Sequence, residues 1–323
     1  MKRLHGCLAA GLLLALALVN PAVANDYPAK PIRIIVPFGA GGATDSVARA
    51  FASKMSTKLG QQVVVENKTG ANGMLAADMV AKSAADGYTL LLGTNTTNAA
   101  ITSLFKSVPY DPQQDFAPIS MLAIVRQVVL VNNDTPIRSM RELISYVKAH
   151  PDTVKYGWVS SSERIATDML AVKAGMQLVS IPYRDTGQAI VGLVRGDVQM
   201  YIGDLAISLP HIRSGAVRAL ALTSFDRSAV VPNLQTVAQA GELPGYGLEA
   251  FLALFAPART PPEVIRALHA AAQDASQDPS LRLALTNIGI EVRTTTPEAL
   301  GQQVREASKF WNKAAADAGI KPQ

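Results

Sequence analysis

Cysteine is almost missing from this chain: its 323 residues include one, Cys7, which excludes a disulfide scaffold and any cysteine-based zinc cluster. Histidine is scarce too. Only His150, His211 and His269 lie beyond the N-terminal segment, none with a histidine four residues away, so a helical zinc motif is excluded. No G-x-S-x-G elbow occurs, and nothing pairs a nucleophile with a base. Charged residues make up 17% against about 25% in an average globular chain, yet hydrophobic residues reach 49%, so wholesale disorder is excluded. Glycine and proline, 23 and 19 of them, follow no triplet period, and no segment of about 20–50 residues repeats. A collagen-like rod and a solenoid are ruled out. At about 150 residues per folding unit, the length fits two domains or one large α/β unit.

The N-terminus has a function of its own. Lys2 and Arg3 precede the apolar stretch Cys7 to Val19, broken only by Gly11, and Asn20-Pro21-Ala22-Val23-Ala24 follows. A positive start, an apolar core and an A-x-A ending describe a secretory signal peptide over residues 1–24, with cleavage expected before Asn25. The alternative, a membrane anchor, needs more length: thirteen residues rise only about 20 Å as a helix against a hydrocarbon core of about 30 Å. Cys7 precedes the apolar run instead of following it, which argues against a lipoprotein box. Losing Lys2 and Arg3 leaves 28 basic against 25 acidic residues, a net charge of +3. That balance gives no reason to propose nucleic acid or an anionic membrane as a partner. The address implied is a bacterial periplasm, where free NAD or ATP is not expected.

The exported part alternates strand and helix patterns. Ile32-Arg33-Ile34-Ile35-Val36 is a β-branched run closed by a glycine loop, after which Val47, Ala48, Phe51, Ala52, Met55 and Leu59 recur at helical spacing. Strands at Val63–Val65 and Tyr88–Leu92 flank a helix expected over Asn72 to Ala84. A second series starts at Val128-Val129-Leu130-Val131, then a helix from Ser139 with Glu142 completing a capping box. Lys155-Tyr156-Gly157, a helix near Thr167–Ala174, Leu178–Ile181, a helix from Gln188 to Arg195 and Val198–Ile202 continue it. Such alternation predicts parallel sheets covered on both faces. Beyond Gly247 the expectation is helical, with Thr260-Pro261-Pro262-Glu263 and Thr296-Pro297-Glu298 as helix starts and Leu300, Val304, Ala307 and Trp311 as a stripe seeking cover.

In open α/β sheets, ligands sit where strands end and helices begin. Here those loops are rich in Gly, Ser and Thr: Phe38-Gly39-Ala40-Gly41-Gly42-Ala43-Thr44-Asp45, Gly70 to Gly73, Thr94 to Thr97, Trp158 to Ser162, Arg184-Asp185-Thr186-Gly187, and Gly203-Asp204. Glycine lets backbone N–H groups approach a ligand, and a helix N-terminus favours an anion. The inferred ligand is a carboxylate. Three or four hydrogen bonds to a charged group, at roughly 1.5–3 kcal/mol each, give about 5–12 kcal/mol, bracketing the ~8 kcal/mol of a micromolar complex. Ordinary turn chemistry explains any single loop; the collection carries the argument.

Enzyme readings fare worse. Gly39-Ala40-Gly41-Gly42-Ala43-Thr44 approaches a dinucleotide fingerprint, with Glu66 ending the second strand, but Thr44 stands where the third glycine belongs. The histidines fit solvated or locally hydrogen-bonded roles. Asp45 and Asp204 raise acid/base chemistry, against which Asp45 fits a cap or loop-ordering role in the first helical turn. No cofactor is called for.

The same loops carry a family resemblance. Pro31 to Phe38 with Gly41-Gly42-Ala43-Thr44-Asp45, Val65-Glu66-Asn67-Lys68 with Gly70 and Gly73, Asp86-Gly87-Tyr88-Thr89-Leu90-Leu91, Pro109-Tyr110-Asp111-Pro112 and Asp115-Phe116-Ala117-Pro118-Ile119 occur in order. Ile181-Pro182-Tyr183-Arg184, Gly196-Asp197-Val198 and Leu254-Phe255-Ala256-Pro257 follow. The pattern, over the whole exported chain, resembles the Bug (TctC-like) family of periplasmic solute-binding proteins. The resemblance implies a type II periplasmic-binding-protein fold: two α/β lobes joined by a hinge, residues 25–124 with 249–323 forming lobe 1 and 125–248 lobe 2. It also implies a small carboxylate held by loop backbone, Ser/Thr and water, working as a monomeric clamp, and delivery to tripartite tricarboxylate transporter permease subunits. By position, Phe38 to Asp45, Gly73 and Thr94-Asn95-Thr96 resemble the lobe 1 side, and Ser160-Ser161-Ser162, Arg184 to Gly187 and Asp204 the lobe 2 side.

Departures cluster in lobe 2. Where the family has a Gly-Ser-x-Gly type loop before Ser-x-His-Leu, this chain has Gly157-Trp158-Val159-Ser160-Ser161-Ser162-Glu163-Arg164-Ile165. Trp158 is expected either to stack on an aromatic acid, to shrink the cleft or to pack against the lobe. Arg164 is expected to pair with Asp185 or Glu163. Asp185, in place of glycine, disfavours a second carboxylate nearby or welcomes an ammonium group. Other readings are a periplasmic enzyme on the same architecture and a ligand-loaded partner of a sensor.

Overall fold

In the computed structural model, which describes residues 27–228 and 230–322, the chain builds two separate sheets. The signal peptide and its cleavage site lie outside the described residues. The first stretch comprises β1 (Ile32–Val36), α1 (Ala43–Leu59), β2 (Val63–Asn67), a 3-10 turn (Ala71–Gly73), α2 (Met74–Ala81), β3 (Thr89–Thr94), a π turn (Thr96–Ala100), α3 (Ile101–Leu104) and β4 (Phe116–Val125). The chain then crosses into β5 (Gln127–Asn132), α4 (Met140–Ala149), β6 (Lys155–Trp158), α5 (Ser161–Ala174), β7 (Val179–Pro182), α6 (Thr186–Arg195), β8 (Met200–Asp204), α7 (Leu205–Arg213), β9 (Val217–Leu222) and α8 (Val237–Ala240). It returns through β10 (Ala250–Pro257), α9 (Pro262–Ser276), α10 (Pro279–Asn287), β11 (Ile290–Val292) and α11 (Pro297–Asp317).

The first sheet has the order β11-β4-β10-β3-β1-β2 and the second β7-β6-β8-β5-β9. Both are mixed, not parallel throughout. The cause is the double crossing between them. β10 enters the first sheet from the other lobe, so it runs against β3 and β4. β5 likewise enters the second sheet from the crossing and runs against β8 and β9. β11 also runs against β4, whereas β1, β2, β3 and β4 share one direction in the first sheet and β6, β7, β8 and β9 share one in the second.

Local chemistry explains most of the boundaries. α1 buries Val47, Ala48, Phe51, Ala52 and Met55 on one stripe against the first sheet and stops at Gly60, whose φ of 66° is left-handed. Fully burying a side chain the size of Phe51 stabilises by roughly 1.5–3 kcal/mol. The helix expected over 72–84 is shorter, because Asn72 at φ 55° and Gly73 at φ 84° form a turn before α2. α5 begins at Ser161, six residues before the expected start, on a complete capping box between Ser160 and Glu163. α4 has only half of its expected box: Ser139 accepts from the Glu142 N–H, but Glu142 accepts from Arg138. Pro261, not Thr260, occupies the cap of α9. The residues past Gly247 are not all helical, since β10 and β11 complete the first sheet.

Four buried clusters fill the faces of the two sheets, and one reaches across. Ala99, Ala100 and Leu104, from the elements after β3, join Ile165, Ala166 and Leu170 of α5 and Trp311, Ala314 and Ala315 of α11 in one apolar core. The stripe of α11 thus finds its cover in both halves. Arg126, the single residue between β4 and β5, pairs with Glu249 at 2.9 Å and Glu291 at 3.0 Å, pinning the crossing.

Candidate ligand cleft

Lobe 1 offers a loop held open from inside. The Asp45 carboxylate accepts from the Gly41 N–H at 3.0 Å, from Asn67 Nδ2 at 3.0 Å and from Arg49 Nε at 3.0 Å. Asn67 also donates to the Phe38 carbonyl at 2.9 Å. Burial alone would raise the Asp45 pKa; the bonds from Arg49, Gly41 and Asn67 outweigh it and hold the carboxyl below its ordinary value. Asp45 is buried and committed to its own loop, so it is a positioning residue for Phe38–Gly42. Gly42 caps α1 without any side-chain bond, which leaves the first N–H groups of the helix, at Ala43 and Thr44, unfilled by side chains. Gly39 and Ala40 complete the loop at the surface.

Beside it, the turn after β3 is wholly buried. Thr97 Oγ1 accepts from the Thr94 N–H at 3.0 Å, closing the turn on itself. Asn95 donates to the Glu249 carbonyl at 2.9 Å and accepts from the Phe251 N–H at 2.6 Å, gripping the start of β10. Gly73 belongs to packing: a Cβ there would stand 2.7 Å from Thr97 Cγ2. Thr96 is the member that reaches over, its Oγ1 lying 3.0 Å from Ser162 Oγ of the opposite lobe.

Lobe 2 meets that contact with the N-terminus of α5. Ser160 caps the helix, its Oγ 3.2 Å from Ser162 Oγ, while Ser161 Oγ is buried with no hydrogen-bond partner. Glu163 Oε2 accepts from the Val159 N–H at 2.7 Å and the Ser160 N–H at 3.2 Å, and Oε1 accepts from the Tyr201 hydroxyl at 3.0 Å. Tyr201 reaches this edge along its own strand because Gly203 has no side chain; a Cβ there would stand 2.2 Å from the ring. Asp204 heads α7 without a side-chain cap bond, and Ile207 of that helix comes 3.8 Å from where a Gly42 Cβ would be.

The second-lobe departures fall into place. Trp158 shares a strand face with Tyr156, packs on the lobe's core and donates Nε1–H to Ser180 Oγ at 2.7 Å. Arg164 pairs with Asp168 at 3.6 Å and lies over the Trp158 ring, not against Asp185 or Glu163 as expected. Asp185 is spent as the cap of α6, accepting from the Gln188 N–H at 2.9 Å. Arg184 and Gly187 are exposed, and Thr186 is half-buried near the Tyr201 hydroxyl. His150 and His269 each bond a backbone carbonyl, of Tyr146 and Ile119. Among the described residues no group of three or more potential ligands is arranged to hold a metal ion.

Glu163, Tyr201 and Gln127 were not among the expected site residues. The Ser160-x-x-Glu163 spacing is a readable capping signal; the others depend on strand register. Burial, together with the Asp204 charge, pushes the Glu163 carboxyl up to about 8, the bonds from Val159, Ser160 and Tyr201 pulling only partly back. Burial raises Asp204 to about 6 against a lowering contact from Gln127. A carboxyl whose pKa is raised by folding binds its proton more tightly in the folded state. Its contribution is complete below the unfolded value and is lost as pH rises through the folded one. Unfolding free energy should therefore fall between about pH 5 and pH 8. Glu163→Gln should flatten that fall in denaturant titrations; equal slopes in both proteins would remove Glu163 as the cause.

With the N-terminus of α5 meeting the turn after β3 across a Thr–Ser contact, comparison with known proteins becomes decisive. The family model described as "Tripartite tricarboxylate transporter family receptor" matches residues 47–319. The chain belongs to that family. This receptor is 36% identical over 315 residues to Protein BugT of Bordetella pertussis, covering 96% of each chain. It is similar to a solved R. palustris structure with adipate (32% identity, TM-score 0.88, 92% of this chain and 100% of that one). It also resembles MatC from Rhodopseudomonas palustris with bound malate (32%, TM-score 0.84, 89% and 99%) and the periplasmic binding protein BugD (32%, TM-score 0.86, 92% and 100%). The family is one of transport receptors, not of enzymes, and the two-lobed binding-protein fold follows.

Proposed function

We propose that this receptor captures a small organic carboxylate in the periplasm, between lobe 1 (25–124 and 249–323) and lobe 2 (125–248), and presents it to the permease subunits of a tripartite tricarboxylate transporter. The single observation carrying this is the Thr96–Ser162 contact at 3.0 Å, which brings the serine-rich N-terminus of α5 up to the lobe 1 turn after β3. Carboxylate oxygens there would take the N–H groups of Ala43 and Thr44 and the Thr96 hydroxyl from lobe 1, and the hydroxyls of Ser160 and Ser161 from lobe 2. The adipate and malate bound by the similar structures support that chemistry. A solute touching both lobes favours the closed arrangement, the shift a transporter reads. The protein acts as a monomer, exported by a leader cut before Asn25. Among the described residues no helix is long and apolar enough to cross a membrane.

Thermal-shift screening against mono-, di- and tricarboxylates tests the reading, since a ligand at 100 times its Kd stabilises by about 2.7 kcal/mol. Asp45→Ala, by freeing the Gly41 N–H and loosening the loop, should weaken a hit by about tenfold, or 1.4 kcal/mol. Unchanged affinity would take that loop out of the site.

A further inference from the structure

The lobe 2 edge holds more hydrogen-bond acceptors than the chain supplies donors for. Gln127 and Asp204 face each other in register at the start of β5 and the end of β8, directly after the crossing at Arg126. Asp204 makes no cap bond to its own helix and is half-buried. Gln127 is 3% exposed and stands opposite Asp204, whose pKa its side chain pulls down, while its own Oε1 is buried with no hydrogen-bond partner. Among the described residues no basic side chain pairs with Asp204: Arg126 is taken by Glu249 and Glu291, and Arg164 by Asp168. The adjacent Glu163 already has its oxygens filled by two N–H groups and a phenol.

An anionic oxygen and an orphaned amide oxygen, side by side at the cleft edge, ask for a cation that donates more than one hydrogen bond. A second carboxylate would instead meet a negative charge and two acceptors. We propose that the Gln127–Asp204 pair takes the ammonium group of the solute, so that this receptor binds an amino-substituted carboxylate in preference to the unsubstituted acid. The inference rests on the carboxylate reading above and narrows it. At neutral pH the shifts point the same way: Glu163 keeps its proton while Asp204 is mostly ionised, leaving one negative charge for the ammonium to meet.

Calorimetric titration of the purified protein with matched series decides it: succinate, malate and aspartate; glutarate, 2-hydroxyglutarate and glutamate; adipate and 2-aminoadipate. The amino member of the series that binds should hold at least tenfold more tightly than its unsubstituted counterpart. Asp204→Asn should bring that ratio close to one, and Gln127→Leu should reduce it by a smaller factor. Equal or tighter binding of the unsubstituted or hydroxy acid by the unaltered protein overturns the proposal without touching carboxylate capture. So does an Asp204→Asn protein that weakens both members of a pair equally. If no acid of any series binds, both readings fall together. The comparison within the unaltered protein stands even if a variant fails to fold.

Discussion

Trp311→Ala is expected to lower the unfolding free energy by about 3–5 kcal/mol, the range for removing a large aromatic from a packed core. The indole is 1% exposed and sits on α11 within an apolar core that draws buried residues from both lobes. Its removal leaves a cavity that neither half can close alone, because Leu104 and Ala99 on one side and Ile165 and Leu170 on the other are held by separate sheets. Denaturant unfolding of the variant measures the loss, with exposed Lys313→Ala as the comparison, for which a change within about 0.5 kcal/mol is expected. A Trp311 loss below about 1 kcal/mol would mean that α11 does not join the lobes in solution.

The second large effect is expected at Gly203. A Cβ at this position would stand 2.2 Å from the Tyr201 ring, closer than side-chain atoms come, and both residues are buried within β8. Gly203→Ala must therefore move the phenol away from Glu163. Overpacking of this kind costs about 1–3 kcal/mol, and losing the bond to a buried carboxyl adds about 1–3 kcal/mol more. The variant should unfold earlier and bind its solute more weakly, because Glu163 holds the Val159 and Ser160 N–H groups that shape the mouth of α5. Tyr201→Phe separates the two causes: it removes the bond without the clash and should show the smaller stability loss. Equal losses in the two variants would place the whole effect on the hydroxyl.

Much of this arrangement is visible in the chain itself, because it is local. The run Ile32–Val36, the glycines behind it and the 3.6-residue stripe of α1 are each specified within a few residues of one another. Two α/β units and the strand-end loops follow from such repeats. The mixed strand directions do not: β4 and β10 are buried on both faces, so they show apolar runs without alternation, and Pro118 and Pro257 interrupt them as loops would. The site divides the same way. Ser160 and Glu163 declare a capping box three residues apart, whereas Gln127 meets Asp204 only through pairing across 77 positions. Asn95 was expected to face the solute, yet its amide is taken by backbone 154 and 156 residues further on. Trp158 and Asp185 stood out as departures from the family pattern; the structure spends one on an indole–serine bond within the lobe and the other on a helix cap.

The grip of Asn95 on β10 has one more consequence. The turn that carries Thr96 to the opposite lobe is the same turn that holds the returning strand at Glu249 and Phe251. A guest seated beside Thr96 would therefore lie one residue from the amide that fastens the returning strand, joined to it by buried backbone.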